Sequence, residues 1–333
     1  MLANLKYENT PCLFIMGMHR SGTSATTGAL RCLGVELGKN LYHGHTGINP
    51  KGYFENSKLA DTNDEILYKI GSSWDDILPR EDSWWKSADL APLKSKLSKH
   101  LVSDFSGSPL WAVKDPRMCR LLPLWLEIME SLNRSPHFLF VIRSPEEVYQ
   151  SLNKRDGFSR EKALLLWNLH YLEAVTQSEG YNRSFMTFDN FLSNPTKELG
   201  RIERELGLEF PIPVSAAHNL LDKFVSKNLR HHSSLPSSSN EKTPLNLITR
   251  NLENKLKMLS NSDAEKTNVN FTDTEKQLSD YLASFNPTFA EHARSIARSR
   301  GNEKLALIRI FRSWSWVAGK PIRFIERLLG RDV

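Results

Sequence analysis

Only three cysteines occur in the 333 residues, Cys12, Cys32 and Cys119, and no two form a C-x-x-C pair. That excludes a disulfide framework and a cysteine-rich zinc site, and it favours buried free thiols in a reducing compartment. Long apolar runs are missing as well: no stretch approaches the roughly 20 residues a bilayer requires. Residues 1–10 are polar and carry no apolar signal core, so a cytoplasmic protein is the expectation. No dense Lys/Arg run interrupts the chain, which argues against nucleic acid as a partner despite a net charge of +6. A moderate positive balance also suits a small polyanion. The 40% hydrophobic and 25% charged residues are those of a globular chain with a sizeable core, in one large or two modest domains.

Four β-rich runs punctuate the first two-thirds, at residues 12–16, 110–113, 137–142 and 184–188, each followed by helical periodicity. The run at 138–142, Phe-Leu-Phe-Val-Ile, is continuously apolar, as a strand covered on both faces must be. Strand–helix alternation of this kind predicts an α/β fold, a central parallel sheet flanked by helices, with ligands at the carboxyl ends of the strands. Residues 233–243 are rich in serine and read as a linker. Beyond it only helical patterns follow, at about 245–260, 272–299 and 303–329. The expected division is therefore a catalytic domain over 1–232, linker and helix over 233–270, and a helical C-terminal region over 271–333. In that last region Leu307, Ile310, Phe311, Trp314 and Val317 lie at helical spacing among Arg309 and Arg312. Packing on the core is the plainer arrangement for such a helix; lying on an anionic membrane surface, through 303–331, is the other.

The most informative stretch is Gly17-Met18-His19-Arg20-Ser21-Gly22-Thr23-Ser24. It follows an apolar strand and precedes a run of helix formers. That geometry turns backbone N–H groups and a helix N-terminus toward a phosphate. Gly17 and Gly22 have the spacing of a Walker A loop, G-x-x-x-x-G-K-[ST], but Thr23 stands where the lysine belongs. The available cation is Arg20. A triphosphatase lacking that lysine has no grip on the outer phosphates, and no apparent strand supplies a Walker B aspartate.

The version G-x-x-R-S-G-T-S resembles the 5′-phosphosulfate loop of sulfotransferases that use 3′-phosphoadenosine 5′-phosphosulfate (PAPS). The resemblance spans about residues 10–232 and implies a three-layer P-loop-like fold. It implies that Arg20, Ser21, Gly22, Thr23 and Ser24 hold the 5′-phosphosulfate, and that no metal is needed. Arg143 at a strand end and Ser151 eight residues on, within Arg143-Ser144-Pro145-Glu146-Glu147-Val148-Tyr149-Gln150-Ser151-Leu152, are similar to the pair that holds the 3′-phosphate. Ser144, Pro145 and Glu147 also spell a capping box. Lys114-Asp115-Pro116-Arg117 resembles a stretch of tyrosylprotein sulfotransferases whose lysine assists transfer; a surface turn with internal ion pairs is the alternative. Glu55, in Tyr53-Phe54-Glu55-Asn56, stands where glycan and protein sulfotransferases place a catalytic base, and His43 and His45 are its rivals. A metal on those two histidines finds no companion ligands in sequence. Arg230 is the candidate for the basic loop that closes over the 3′-phosphate. Lacking the membrane anchor usual in luminal animal members, the chain looks bacterial in type. The implied acceptor is a hydroxyl. Trp74, Trp84, Trp85 and Tyr53 offer flat surfaces for a sugar, hence a glycan or glycolipid, or else are packing residues. A P-loop kinase or NTPase, and a non-catalytic nucleotide-binding scaffold, are the competing readings.

Overall fold

The structure, a computed structural model, describes residues 11–42, 52–225, 243–261, 269–285 and 287–314. Its sheet has four parallel strands, β1 Cys12–Met16, β2 Trp111–Lys114, β3 Pro136–Ile142 and β4 Arg183–Thr187, in the order β2-β1-β3-β4. Each lies within one residue of the run expected from sequence. The helices are α1 Thr23–Cys32, α2 Ser57–Lys69, α3 Ala91–Phe105, α4 Met118–Ser131, α5 Pro145–Asp156, α6 Arg160–Gln177, α7 Phe188–Ser193, α8 Pro195–Leu206, α9 His218–Phe224, α10 Pro244–Ser260, α11 Thr272–Ala283 and α12 Pro287–Trp314.

Central β1 pairs with β2 on one side, Cys12 opposite Trp111, and with β3 on the other, Cys12 opposite Pro136. All of its side chains are buried, which accounts for its unbroken apolar sequence. Side chains alternate between two cores along each strand. Phe14, Met16, Val113, Phe138 and Phe140 enter one core with helices α2 to α6 and α10. Leu13, Ile15, Ala112, Leu139 and Val141 enter the other with α1, α8 and α9. The result is a three-layer α/β fold. Because the chain runs from β1 out to β2 and then returns to β3 beyond β1, connections leave β1 and β3 in opposite directions. A crevice opens between their carboxyl ends, the usual ligand position in such sheets.

Helix α10 begins with Thr243 as N-cap, its hydroxyl accepting from the Asn246 N–H, and Pro244 at the first helical position. Leu252 and Leu256 are fully buried in the core that holds Phe14. Buried Asn168 of α6 donates to the Thr249 hydroxyl at 2.7 Å. The C-terminal helices depart from expectation. The single helix expected over 272–299 is two, because Pro287 starts a new first turn, and no break occurs near 300–302. Gly301 lies inside α12, where a Cβ would come within 2.7 Å of the Tyr68 carbonyl oxygen of α2. There glycine permits backbone contact between two helices and does not end one. The part of the basic segment beyond residue 314 lies outside the described residues.

Replacing Leu252 with Ala is expected to cost about 2–5 kcal/mol, a deletion in a tight core. Urea denaturation should show this as a shift of one transition; an early separate transition would make α10 an independent unit.

Candidate active site

The loop between β1 and α1 is built from backbone conformations that ordinary residues avoid. Gly17, Arg20 and Gly22 have φ of 154°, 69° and 92°. A Cβ on Gly22 would lie 2.2 Å from the Phe188 ring, and one on Gly17 2.8 Å from the Val141 carbonyl oxygen. Both glycines are therefore required by space as well as by torsion. Arg20 has no such freedom and is held in the left-handed region by two bonds. Its carbonyl accepts from Arg143 Nη1 at 3.0 Å, and its own Nε donates to Ser151 Oγ at 2.7 Å. The Gly17 N–H donates to Cys119 Sγ at 3.3 Å. The Ser21 N–H donates to the Met18 carbonyl at 3.1 Å. Helix α1 has Gly22 as N-cap and thus no side-chain cap, leaving its first-turn N–H groups available.

Arg143 closes β3 and is buried. Its Nε donates to Glu147 Oε2 at 2.7 Å, and its guanidinium lies 5.3 Å from the Phe188 ring centre. Ser144 occupies the N-cap of α5 but makes no side-chain cap bond, a departure from the capping box, since Glu147 serves Arg143. Phe188 thus touches both halves of the crevice, under Arg143 and against Gly22. Burial, then the guanidiniums of Arg155 and Arg143, lower the pKa of Arg20. Cations crowded this way favour an anion between them.

Lys114, at the end of β2, is 4% exposed. Its ammonium donates to Glu55 Oε1 at 2.6 Å, Ser24 Oγ at 3.1 Å and the Tyr53 carbonyl at 3.2 Å. Three donors meet three acceptors. Glu55, Ser24 and Lys114, each expected from sequence, therefore share one point. The adjoining Arg117 grips Asp64 through Nε at 2.7 Å and Nη2 at 3.1 Å, donates to Asp115 at 2.9 Å, and lies 3.8 Å from Glu55. Burial opposes its charge, yet Asp115, Asp64 and Glu55 together raise its pKa well above the ordinary value. Arg117 is a clamp behind Glu55.

An aromatic wall that sequence reading only partly found stands beside the loop. Trp74 stacks on Phe158 at 5.7 Å, lies 4.4 Å from the His19 ring and carries the Arg155 guanidinium at 5.3 Å. Among the described residues His19 Nε2 is buried with no partner. Nothing in the spacing of His19 or Phe158 marked their meeting with Trp74, since that partner is distant in sequence. Trp84 packs edge-on against Trp85 and lines a different cavity, at the C-terminal end of α2. His43, His45 and Arg230 lie outside the described residues. Among the described residues no three His, Cys, Asp or Glu side chains gather as metal ligands, and no helix is long and apolar enough to cross a membrane.

No protein-family model matches the chain, and no curated protein matches it by sequence. Solved structures overlay it loosely. The sulfotransferase domain from the Synechococcus PCC 7002 olefin synthase is 16% identical, over 83% of this chain and 96% of that one, with a TM-score of 0.42. The sulfotransferase domain from the curacin biosynthetic pathway is 13% identical, over 75% and 98%, with a TM-score of 0.41. Sulfotransferase STF9 from Mycobacterium avium is 14% identical, over 84% and 77%, with a TM-score of 0.41.

His170 of α6, 6.0 Å from the His19 ring, is fully buried. Its Nδ1 lies 2.7 Å from the Leu166 carbonyl, so Nδ1 carries the proton of the neutral ring. Burial, then Arg120, holds its pKa well below 6.5. Unfolded, it takes up a proton as the pH drops through that value; folded, it does not. Stability is thus complete above about pH 6.5 and falls on acidification, by up to ~1.4 kcal/mol per pH unit. His170→Gln should flatten this decline between pH 6.5 and 5 in thermal unfolding; an unchanged slope would reject it.

Proposed function

We propose that the protein is a PAPS-dependent sulfotransferase that moves a sulfuryl group to an acceptor hydroxyl. The observation that carries this reading is the meeting of two halves in one crevice. Arg20, Arg143 and Ser151 gather beside an uncapped helix N-terminus, and the Lys114–Glu55 pair is bonded to Ser24 of the same loop. The first half suits the two phosphate ends of an adenosine bisphosphate: planar guanidiniums and a hydroxyl for one, first-turn N–H groups for the other. Thr23 in place of a Walker lysine separates this loop from that of a triphosphatase. PAPS would supply an activated sulfuryl group whose leaving oxygen belongs to a phosphate.

The residues of the chain divide the remaining work. Glu55, fixed by Lys114 and backed by Arg117, takes the proton of the acceptor hydroxyl. Lys114 and Arg20 stabilise negative charge that grows on the sulfuryl and leaving oxygens. Trp74, Phe158 and Tyr53 give the acceptor a flat, partly apolar wall, which favours a carbohydrate or glycolipid hydroxyl.

Lys114→Ala is expected to lower turnover about 100-fold or more while changing affinity for 3′,5′-adenosine bisphosphate little, because its effect belongs to the transition state. Equal losses in both would assign Lys114 to ground-state binding. Arg143→Ala should weaken bisphosphate binding by about 1.5–3 kcal/mol, the loss of charged hydrogen bonds. Calorimetric titration measures this, with ATP and magnesium alongside. Preference of the wild-type chain for ATP and magnesium would overturn the proposal in favour of a kinase.

A further inference from the structure

A second cluster of buried charge lies apart from this crevice and has no role in it. Arg120, at the start of α4, and Arg80, in the connection between α2 and α3, share one carboxylate, Glu173. Arg120 Nε lies 2.8 Å from it and Arg80 Nη1 3.7 Å. Arg80 Nη1 also donates to the Arg120 carbonyl, and Arg120 Nη1 to the Asp76 carbonyl at 2.9 Å. Glu173 and Asp76 both act on Arg80 with their negative charge, yet part of its guanidinium is buried without a hydrogen-bond acceptor, which is costly.

The missing partner has a definite position. The Arg80 side chain is only 10% exposed, and among the described residues its Nε and Nη2 have no acceptor. These two atoms form one edge of the guanidinium, the edge that takes planar oxyanions two bonds at a time. The same molecule shows that use elsewhere: Arg117 presents Nε and Nη2 to the two oxygens of Asp64. Arg80 also forms part of the wall of a cavity of about 350 Å³, between the end of α2 and α12. The Trp84 ring lies 5.4 Å from its guanidinium and steadies it. Two carboxylates on the cavity wall are paired with other cations, Asp89 with Lys69 and Glu81 with Arg298, each at 3.3 Å, while Asp76 accepts from the Ser72 hydroxyl and Leu78 N–H and makes no bond to the Arg80 guanidinium. Arg294 of α12 adds a further cation to the wall.

We propose that this cavity is a second anion site, in which the Nε–Nη2 edge of Arg80 binds a small oxyanion: a sulfate, phosphate or carboxylate group, free or carried on a larger ligand. The site is distinct in residues from the phosphosulfate crevice and does not depend on the reaction assigned to it.

The test is calorimetric titration of the full chain with inorganic sulfate and, separately, with a monosaccharide 6-sulfate, in wild type, Arg80→Gln and Arg143→Ala. The expected result is an anion-binding event that weakens about ten-fold or more in Arg80→Gln, as loss of a charge-assisted bond implies, and survives in Arg143→Ala. Equal affinity for both probes marks a free ion as the ligand; tighter binding of the sugar sulfate marks a carried group. Identical isotherms for wild type and Arg80→Gln overturn the proposal and leave the cavity to water. Should Arg80→Gln fail to fold, the surface change Arg294→Glu must weaken sulfate binding several-fold, and unchanged affinity there overturns it equally.

Discussion

Lys114 ties three separated parts of the chain to one nitrogen. It ends β2, and its protons reach the start of α1 through Ser24 and the segment before α2 through Tyr53 and Glu55. A buried ion pair alone is a poor source of stability, since desolvation offsets the attraction. Here every proton of the ammonium has an acceptor, so the pair fixes position at little remaining cost. The arrangement of the site follows from that fixing: a carboxylate is held against the glycine loop by a cation that the sheet itself positions.

The loop has an opposite economy. Its backbone is strained at Arg20, and its glycines are hemmed in by Phe188 and Val141. Such strain persists only when surroundings over-determine it. The surroundings are Arg143 on the Arg20 carbonyl, Ser151 on the Arg20 side chain and Cys119 on Gly17. Arg143 and Ser151, expected from sequence to bind a ligand, thus shape the loop. Arg143 and Ser151 would meet an arriving phosphate already oriented, because each is held by a partner from another strand or helix.

The parts of this design that were legible in sequence share a physical trait: they are local. The strands announced themselves as unbroken apolar runs because a parallel sheet buries both faces. Gly17 and Gly22 were readable because no other residue tolerates those torsions. Lys114 and Arg143 could be placed because each ends a strand. What stayed hidden depends on contacts that spacing alone does not show. Glu147 suggested a capping box and holds the Arg143 guanidinium; the Ser21 N–H is taken by a turn to Met18. Trp74 and Phe158 meet from sites far apart in the chain. The boundary of α12 was misplaced because Gly301 suggests a break until the neighbouring helix is seen.

Cys119 carries one further consequence. Its thiol is buried against Gly17, and burial pushes its pKa up to about 12. The thiolate, the form that reacts, is therefore scarce while the loop is closed. Cys32 is half-buried and Cys12 fully buried on the far end of β1. The chain thus contains its own clock for breathing motions: the rate at which Cys119 becomes chemically accessible is the rate at which α4 and the glycine loop come apart.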